Sequence, residues 1–105
     1  MIARVLRCKI KPGMWDDYER YYNEKVVPPT QKMKGFQERR LLRSLDNPDE
    51  GISISVWKTR EDLENYVRSI ERQSIVLEAE ERFFAGEYSV RDFEIKISTV
   101  HVGLF

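Results

Sequence analysis

Gly51-Ile52-Ser53-Ile54-Ser55-Val56-Trp57-Lys58-Thr59 is the stretch of this chain that decides its fold. Its side chains alternate with the period of two that a half-buried β-strand requires. One face carries Ile52, Ile54 and Val56, and the other carries Ser53, Ser55 and Trp57. Thr59 then stands where a helix N-cap is expected, with Asp62 three residues later as a weak form of the capping box. The stretch therefore predicts a strand that runs directly into a helix.

Outward from this strand, glycines mark the points where the apolar spacing changes period, as expected of a residue that tolerates unusual backbone angles. They are Gly13, Gly35, Gly51 and Gly86. Between them the spacing predicts strands over 2–10, 36–45, 52–57 and 88–97 and a helix over 14–27 that ends or kinks at Pro28-Pro29. A phase shift near Arg91-Asp92 predicts a bulge in the last strand.

The segment 60–85 carries a helical pattern that can be read in two ways. Ser69 can end one helix and cap a second, which predicts two segments; the alternative is one uninterrupted helix. Either way the element order is β-α-β-β-α-β. This order predicts an α+β, ferredoxin-like fold with a four-stranded antiparallel sheet and helices on one face. We expect one domain over 1–98 and a C-terminal tail over 99–105.

The sheet is predicted to need a cover on its second face. The third strand is apolar on one side and carries Trp57 on the other, and the first strand also has apolar residues on both sides. A sheet face exposed to water should be polar throughout. We therefore expect a homodimer in which two sheets pack face to face, with the apolar tail packing on the partner subunit.

The charge balance disfavours several classes of function. Lys and Arg number 18, as do Asp and Glu, so there is no net positive charge of the kind that nucleic-acid binding uses. RNA-recognition motifs share the element order, and Lys34-Gly35-Phe36 begins like one of their signatures. However, Gln37, Glu38 and Arg39 follow where aromatic and apolar residues belong, so nucleic acid is not an expected partner.

The sequence contains one cysteine and one histidine. Cys8 cannot form an intrachain disulfide, and its place in an apolar strand predicts a small buried side chain. One cysteine and His101 are too few for a zinc or transition-metal site, so no metal is expected. No apolar run approaches the ~20 residues of a membrane span. We expect no membrane contact and a cytoplasmic location.

Short segments of the chain resemble the antibiotic biosynthesis monooxygenase domains of the dimeric α/β-barrel superfamily. They are Gly35-Phe36, the run from Ile52 through Trp57 and Thr59 to Leu63, Ser69-Ile70-Glu71-Arg72-Gln73, and Phe83, Phe84 and Gly86. A strand that ends in Trp and enters a Thr-capped helix is the main feature of the resemblance. It covers roughly residues 2 to 97, and most of its motifs are shared across the superfamily.

The resemblance implies a homodimer with a pocket in each subunit, between the helices and the sheet. Some members oxidise phenolic or quinol compounds with molecular oxygen and use neither metal nor flavin, so no cofactor is expected. Haem-degrading members use an Asn on the first strand, the Trp that ends the strand, and a His on the next helix. Only Trp57 is present here, and haem degradation is therefore not expected.

Aromatic residues are the first candidates for the pocket wall. Trp57, Tyr18, Tyr22 and Tyr66 would enclose it, with space left beneath by Ser53 and Ser55. The alternative is that these rings simply fill the core, as aromatic stripes at helical spacing often do.

Arg4 and Arg40 are the candidates for binding an anion in the pocket, with a plain ion pair to a neighbouring carboxylate as the alternative. No catalytic base can be assigned. His101 would reach a pocket only if the tail crosses to the partner.

Two functions from different classes follow. The first is a small-molecule-binding protein that acts as a cofactor-independent monooxygenase on a phenolic or quinol-type aromatic ligand. The second is a non-catalytic homodimeric binding or regulatory module, which predicts a filled core with no cavity behind Trp57.

Overall fold

The strands and helices follow one another in the predicted order in a computed structural model, which describes residues 1–100. The strands are β1 (Ile2–Lys9), β2 (Phe36–Arg43), β3 (Glu50–Trp57) and β4 (Ser89–Glu94). The helices are α1 (Trp15–Tyr21), α2 (Val27–Gln31), α3 (Arg60–Arg68) and α4 (Ile70–Arg82), with a π-helical turn, Tyr22–Val26, between α1 and α2. Residues 101–105 of the predicted tail, including His101, lie outside the described residues.

The four strands form one antiparallel sheet in the order β2-β3-β1-β4, which confirms the predicted ferredoxin-like α+β fold. Pairing of β1 with β3 places Leu6 opposite Ser53 and Arg4 opposite Ser55, all on the face covered by helices. The opposite face carries Val5 and Ile54 as partners. The alternation of β3 thus separates a helix-covered face, lined in part by serines, from an apolar outer face.

The first helical segment runs further than the sequence predicts. Residues 15–31 stay helical through the π-helical turn, and Pro28 and Pro29 occupy the first turn of α2. A proline is tolerated there because the backbone N–H groups at the start of a helix have no partner to lose. The predicted interruption at Pro28-Pro29 therefore takes the form of a wider turn just before the prolines.

Ser69 separates two helices, which is the first of the two alternatives that the sequence leaves open. Its extended backbone ends α3, and its Oγ accepts a hydrogen bond from the N–H of Arg72 at 3.2 Å, which caps α4. Thr59 caps α3 in the same way, with Oγ1 3.1 Å from the N of Asp62. Both α3 and α4 therefore begin at a capping hydroxyl group.

The predicted bulge near Arg91-Asp92 is wrong. Strand β4 is shorter than predicted and pairs with β1 in unbroken register from Ser89 to Glu94. The apolar phase shift has another cause, because Val90 lies on the helix-covered face and Phe93 lies, half-exposed, on the outer face. A register shift occurs instead in β2, between Phe36 and Glu38.

The buried side chains form two clusters on the helix-covered face. The larger cluster is built from β1, α1 and the end of α4, and includes Trp15, Tyr18, Tyr22 and Phe83. The smaller one is formed by Trp57, Leu63 and Tyr66. Gly51 allows the Trp15 ring to approach β3, since a Cβ at this position would lie 2.7 Å from that ring.

None of the helices within residues 1–100 is long and apolar enough to cross a membrane.

Gly35 should be the glycine least tolerant of substitution. It has a positive φ of 81°, and an added Cβ would collide with the side chain of Asp62, which is buried. Gly13 has a similar φ of 77° but open space around it. Alanine at a left-handed position costs about 1–2 kcal/mol, so Gly13→Ala should lower the free energy of unfolding by that amount. Gly35→Ala should lower it by about 2–5 kcal/mol, because overpacking adds to the backbone term.

Urea denaturation of both variants would measure this difference. Equal losses of stability in Gly13→Ala and Gly35→Ala would contradict the close packing of β2 against α3.

Candidate functional site

A cavity lies between the helices and the sheet, at the boundary of the two clusters. It offers about 50 Å³ of space open to water. Its polar lining comes from Arg4, Tyr18, Tyr22, Arg39, Ser53, Ser55, Tyr66 and Arg72, and its apolar lining from Leu6, Val26, Ile75, Val76, Ala79 and Phe84. Of these, Arg72, Ile75 and Val76 lie on α4 and are only half-buried. The side of the cavity formed by α4 is therefore the side on which a ligand can most easily enter.

The guanidinium of Arg39 connects the two clusters. Its Nη1 donates hydrogen bonds to Tyr22 Oη at 3.0 Å and to Ser53 Oγ at 3.2 Å, and its Nη2 donates to Tyr66 Oη at 3.1 Å. Tyr22 Oη and Ser53 Oγ are also hydrogen-bonded to each other, at 2.7 Å. The guanidinium carbon lies 5.6 Å from the Tyr22 ring centre and 5.7 Å from that of Tyr66. One cation thus holds a strand, the π-helical turn and α3 together.

Arg39 has no carboxylate within salt-bridge distance among residues 1–100. Its Nε is fully buried and has no hydrogen-bond partner in that part of the chain. Burial alone lowers the pKa of this group, but the two tyrosines raise it by charge interaction and hydrogen bonding, and the net shift is upward. Arg39 therefore stays a cation, stabilised by hydroxyl dipoles and aromatic rings.

The tyrosines around this cation are held by different neighbours. Tyr66 stacks on Trp57 with ring centres 4.7 Å apart, and Trp57 Nε1 donates to Ser55 Oγ at 3.1 Å. Tyr18 packs edge-on against Tyr22 and Phe84. Burial, followed by the nearby Cys8 and Tyr22, raises the pKa of Tyr18 far above its ordinary value. Tyr18 is therefore a neutral phenol under all ordinary conditions and cannot act as a base.

The charges of the cavity lining are all positive among the described residues. Arg4 is balanced from outside the lining by Asp92, whose two carboxylate oxygens accept from its Nε and Nη2 at 2.8 and 2.9 Å. Arg72 makes no ion pair within residues 1–100. The cavity therefore has an excess of positive charge in a chain whose overall net charge is zero.

The structure brings together most of the site residues predicted from the sequence. Tyr18, Tyr22, Tyr66 and Arg4 line the cavity, above Ser53 and Ser55. Trp57 is completely buried behind Tyr66 and supports the wall without forming it. Arg40 lies elsewhere: it is exposed on the outer face and pairs with Glu38. For Arg4 and Arg40 alike, the ion pair weighed as an alternative is present.

Arg39 was missed by sequence reasoning, because of the register shift in β2. Counted from Phe36, which packs against Trp57 on the helix-covered face, Arg40 would share that face. The irregularity between Phe36 and Glu38 reverses the alternation, so Arg39 pairs opposite Ser55 and Arg40 opposite Ile54. The sequence gives no clear signal for this, because Leu41 shares the parity of Arg39 but the adjacent Leu42 has the opposite parity.

Cys8 is buried in the larger cluster, as predicted. Burial raises the pKa of its thiol to about 11, so it is protonated at neutral pH and unsuited to nucleophilic attack. No group of three metal-binding side chains occurs among residues 1–100.

The fold and the pocket define a class: a ferredoxin-like α+β domain with a partly enclosed, cationic, tyrosine-lined cavity. The family model described as antibiotic biosynthesis monooxygenase matches residues 1–76. The chain therefore belongs to the antibiotic biosynthesis monooxygenase family, which confirms the resemblance seen in the sequence.

Several solved structures share the fold at low sequence identity. A conserved protein from Methanosarcina mazei Go1 is 20% identical, with a TM-score of 0.79, over 90% of this chain and 92% of that one. Rv0793 from Mycobacterium tuberculosis is 15% identical, with a TM-score of 0.77, over 94% and 98%. A variant of SnoaB, a cofactor-independent oxygenase from Streptomyces nogalater, is 13% identical, with a TM-score of 0.79, over 92% and 94%. No curated protein matches the chain significantly.

Proposed function

We propose that this protein binds a phenolic or quinol-type aromatic compound in the cavity and oxidises it with molecular oxygen, without metal or flavin. The observation that carries the proposal is the cavity itself, with hydroxyl and guanidinium groups set among apolar walls. Membership of the monooxygenase family and the likeness to a cofactor-independent oxygenase support the reaction class.

The reaction requires the substrate to supply every electron. An ionised phenol is a far better electron donor than a neutral one, and positive charge near the ring lowers the pKa of a bound phenol. The cationic lining is suited to this role. At a ring C–H of the phenol, one oxygen atom of O₂ becomes a quinone oxygen, and the other leaves as water with the hydrogen of that carbon and the hydrogen of the phenol O–H. The ring supplies the four electrons that reduce O₂, and no co-reactant is needed.

The size of the cavity limits the size of the substrate that can enter. A cavity of about 150 Å³ accommodates benzene, whereas this one has about 50 Å³ of space open to water. Even a single ring therefore requires the half-buried side chains of α4 to move. We infer that one-ring phenols and quinols enter more readily than three-ring compounds such as anthrones.

The second candidate is a non-catalytic binding module. It is favoured by the chemistry of the described lining, whose arginines and tyrosines donate hydrogen bonds and are poor proton acceptors at neutral pH. It expects a filled core behind Trp57, and the cavity that Ser53, Ser55 and Tyr66 border does not reach Trp57. Binding without turnover would distinguish it from the oxygenase.

Oxygen uptake with a panel of quinols and anthrones should be catalysed by the wild-type protein. Ala79 lies on α4, is buried and faces the cavity, so Ala79→Leu would fill the space that a substrate needs. We expect this variant to lose roughly tenfold or more of the activity, because misplaced substrates react slowly.

Ala85→Leu is the matched control, since Ala85 is exposed and does not line the cavity. It should retain the wild-type rate. The oxygenase proposal would be abandoned if the wild type neither consumed oxygen nor showed a melting shift with any compound of the panel.

We also propose that the protein is a homodimer that acts in the cytoplasm. The outer face of the sheet carries Val5, Ile52, Ile54 and Val56 at its centre, with Leu42 and Phe93 43% and 46% exposed to either side. An apolar sheet face of this kind is stable in water only when covered. A second copy of the chain is a cover of matching shape and character.

Sedimentation equilibrium at micromolar concentration should give the mass of a dimer. Ile54→Lys puts a charge at the centre of the outer face and should give monomers. Leu45→Lys, at a fully exposed loop position, should leave the dimer intact. A wild-type protein that stays monomeric would remove this part of the proposal.

A further inference from the structure

We propose that the ligand of this cavity is an aromatic acid, whose anionic oxygen binds to Arg39 and to the hydroxyl groups that Arg39 holds. The anionic group is a carboxylate or a phenolate on a small ring. The inference rests on the proposed function only in that both need a ligand in this cavity, and it does not require turnover.

The charge of Arg39 is the first feature that favours an anionic ligand. A buried cation is normally paired with a carboxylate, because desolvation costs several kcal/mol per ion. Arg39 has none within 4 Å among residues 1–100. Arg39 also borders an open groove together with Asp16 and Glu19, and neither of these carboxylates lies within salt-bridge distance of it. An anion in the cavity would supply the missing partner.

The number of unused N–H groups on the Arg39 guanidinium is the second such feature. A guanidinium has five N–H groups. Three of those on Arg39 are used by Tyr22, Ser53 and Tyr66. The remaining two, on Nε and Nη2, have no acceptor in the described part of the chain. A carboxylate or phenolate oxygen accepts such bonds, and charge assistance makes them strong.

The hydrogens of the hydroxyl groups around Arg39 are the third such feature. Because Arg39 donates to Tyr66 Oη, that oxygen is occupied as an acceptor and its own O–H is left to donate elsewhere. Tyr22 and Ser53 share one hydrogen bond, so one of their two O–H groups is also free. These O–H groups and the remaining N–H groups of Arg39 can donate to a ligand in the cavity, and an anionic oxygen accepts stronger, charge-assisted hydrogen bonds from them than a neutral carbonyl does.

The apolar part of the lining is the fourth feature that bears on the ligand. Leu6, Val26, Ile75, Val76 and Phe84 form an apolar surface on which a ring can pack. Arg72 stands among the half-buried residues of α4 and draws anions towards the same side. The arrangement therefore fits a ligand with an apolar body and one anionic end.

Calorimetric titration of the full chain with benzoate and with benzamide tests the charge preference on one ring skeleton. We expect benzoate to bind roughly tenfold or more tightly, the usual advantage of a hydrogen bond to a charged group. Titration with 4-nitrophenol, followed by absorbance, tests the phenolate source, and binding should lower its apparent pKa. A preference for one probe over the other would tell which oxygen acid the site takes.

Variants locate the effect at Arg39. Arg39→Met should abolish the preference for benzoate. Arg39→Lys should keep part of that preference, because lysine retains the positive charge but lacks the planar set of N–H donors of a guanidinium. Arg68→Met is the matched control, since Arg68 is an exposed arginine of α3 whose side chain bonds to Asn65 and does not line the cavity, and the full preference should remain. If Arg39→Met does not fold, Tyr66→Phe provides the test. This variant removes one hydrogen-bond donor and should lower the affinity for benzoate several-fold while leaving the affinity for benzamide unchanged.

The outcomes separate this inference from the proposed function. Equal binding of benzoate and benzamide together with an unshifted pKa of 4-nitrophenol, or a preference that survives Arg39→Met, overturns the inference. Binding of neither probe overturns it as well and also removes the ligand pocket. Benzoate preference without any oxygen uptake supports the inference and removes only the oxygenase. Turnover of a neutral quinol by a protein that shows no preference for an anionic ligand supports the oxygenase and overturns this inference.

Discussion

The hydrogen bonds from Arg39 to Tyr22, Ser53 and Tyr66 are the interaction on which the pocket depends. They join β2, the π-helical turn, β3 and α3 at one point, where the two buried clusters meet. A purely apolar filling at this boundary would have merged the clusters into one core. Serines at 53 and 55 leave the space, and a single cation holds the rings around it apart.

This arrangement explains why the cavity is polar in an otherwise aromatic interior. Each hydroxyl oxygen around Arg39 accepts a hydrogen bond from the guanidinium. The two tyrosine rings are supported by other rings: Trp57 stacks under Tyr66, and Tyr18 packs against Tyr22. The site is therefore pre-organised by packing and not by a network of opposite charges. Such a site leaves the positive charge of Arg39 available to a ligand.

Much of the fold can be read from the sequence because local signals and tertiary packing agree there. The alternation of 52–57, the caps at Thr59 and Ser69 and the glycines at element ends lead to the same topology. The tyrosines that line the cavity were also predictable, because helical spacing places them on one face. The sequence did not reveal which residues of β2 face the helices. A single irregularity between Phe36 and Glu38 exchanges the faces of Arg39 and Arg40, and one extra residue in a strand leaves no trace in composition.

The most direct test of this account is a ¹⁵N–¹H spectrum of the arginine side chains in the unliganded protein. A guanidinium that is fixed between three hydroxyl groups and buried at Nε should give an Nε–H resonance protected from exchange with water. We predict one such strongly protected signal that disappears in Arg39→Met and moves when benzoate is added. An Arg39 signal that exchanges as fast as those of the exposed arginines would show that the guanidinium is not held there, and the account of the pocket would be contradicted.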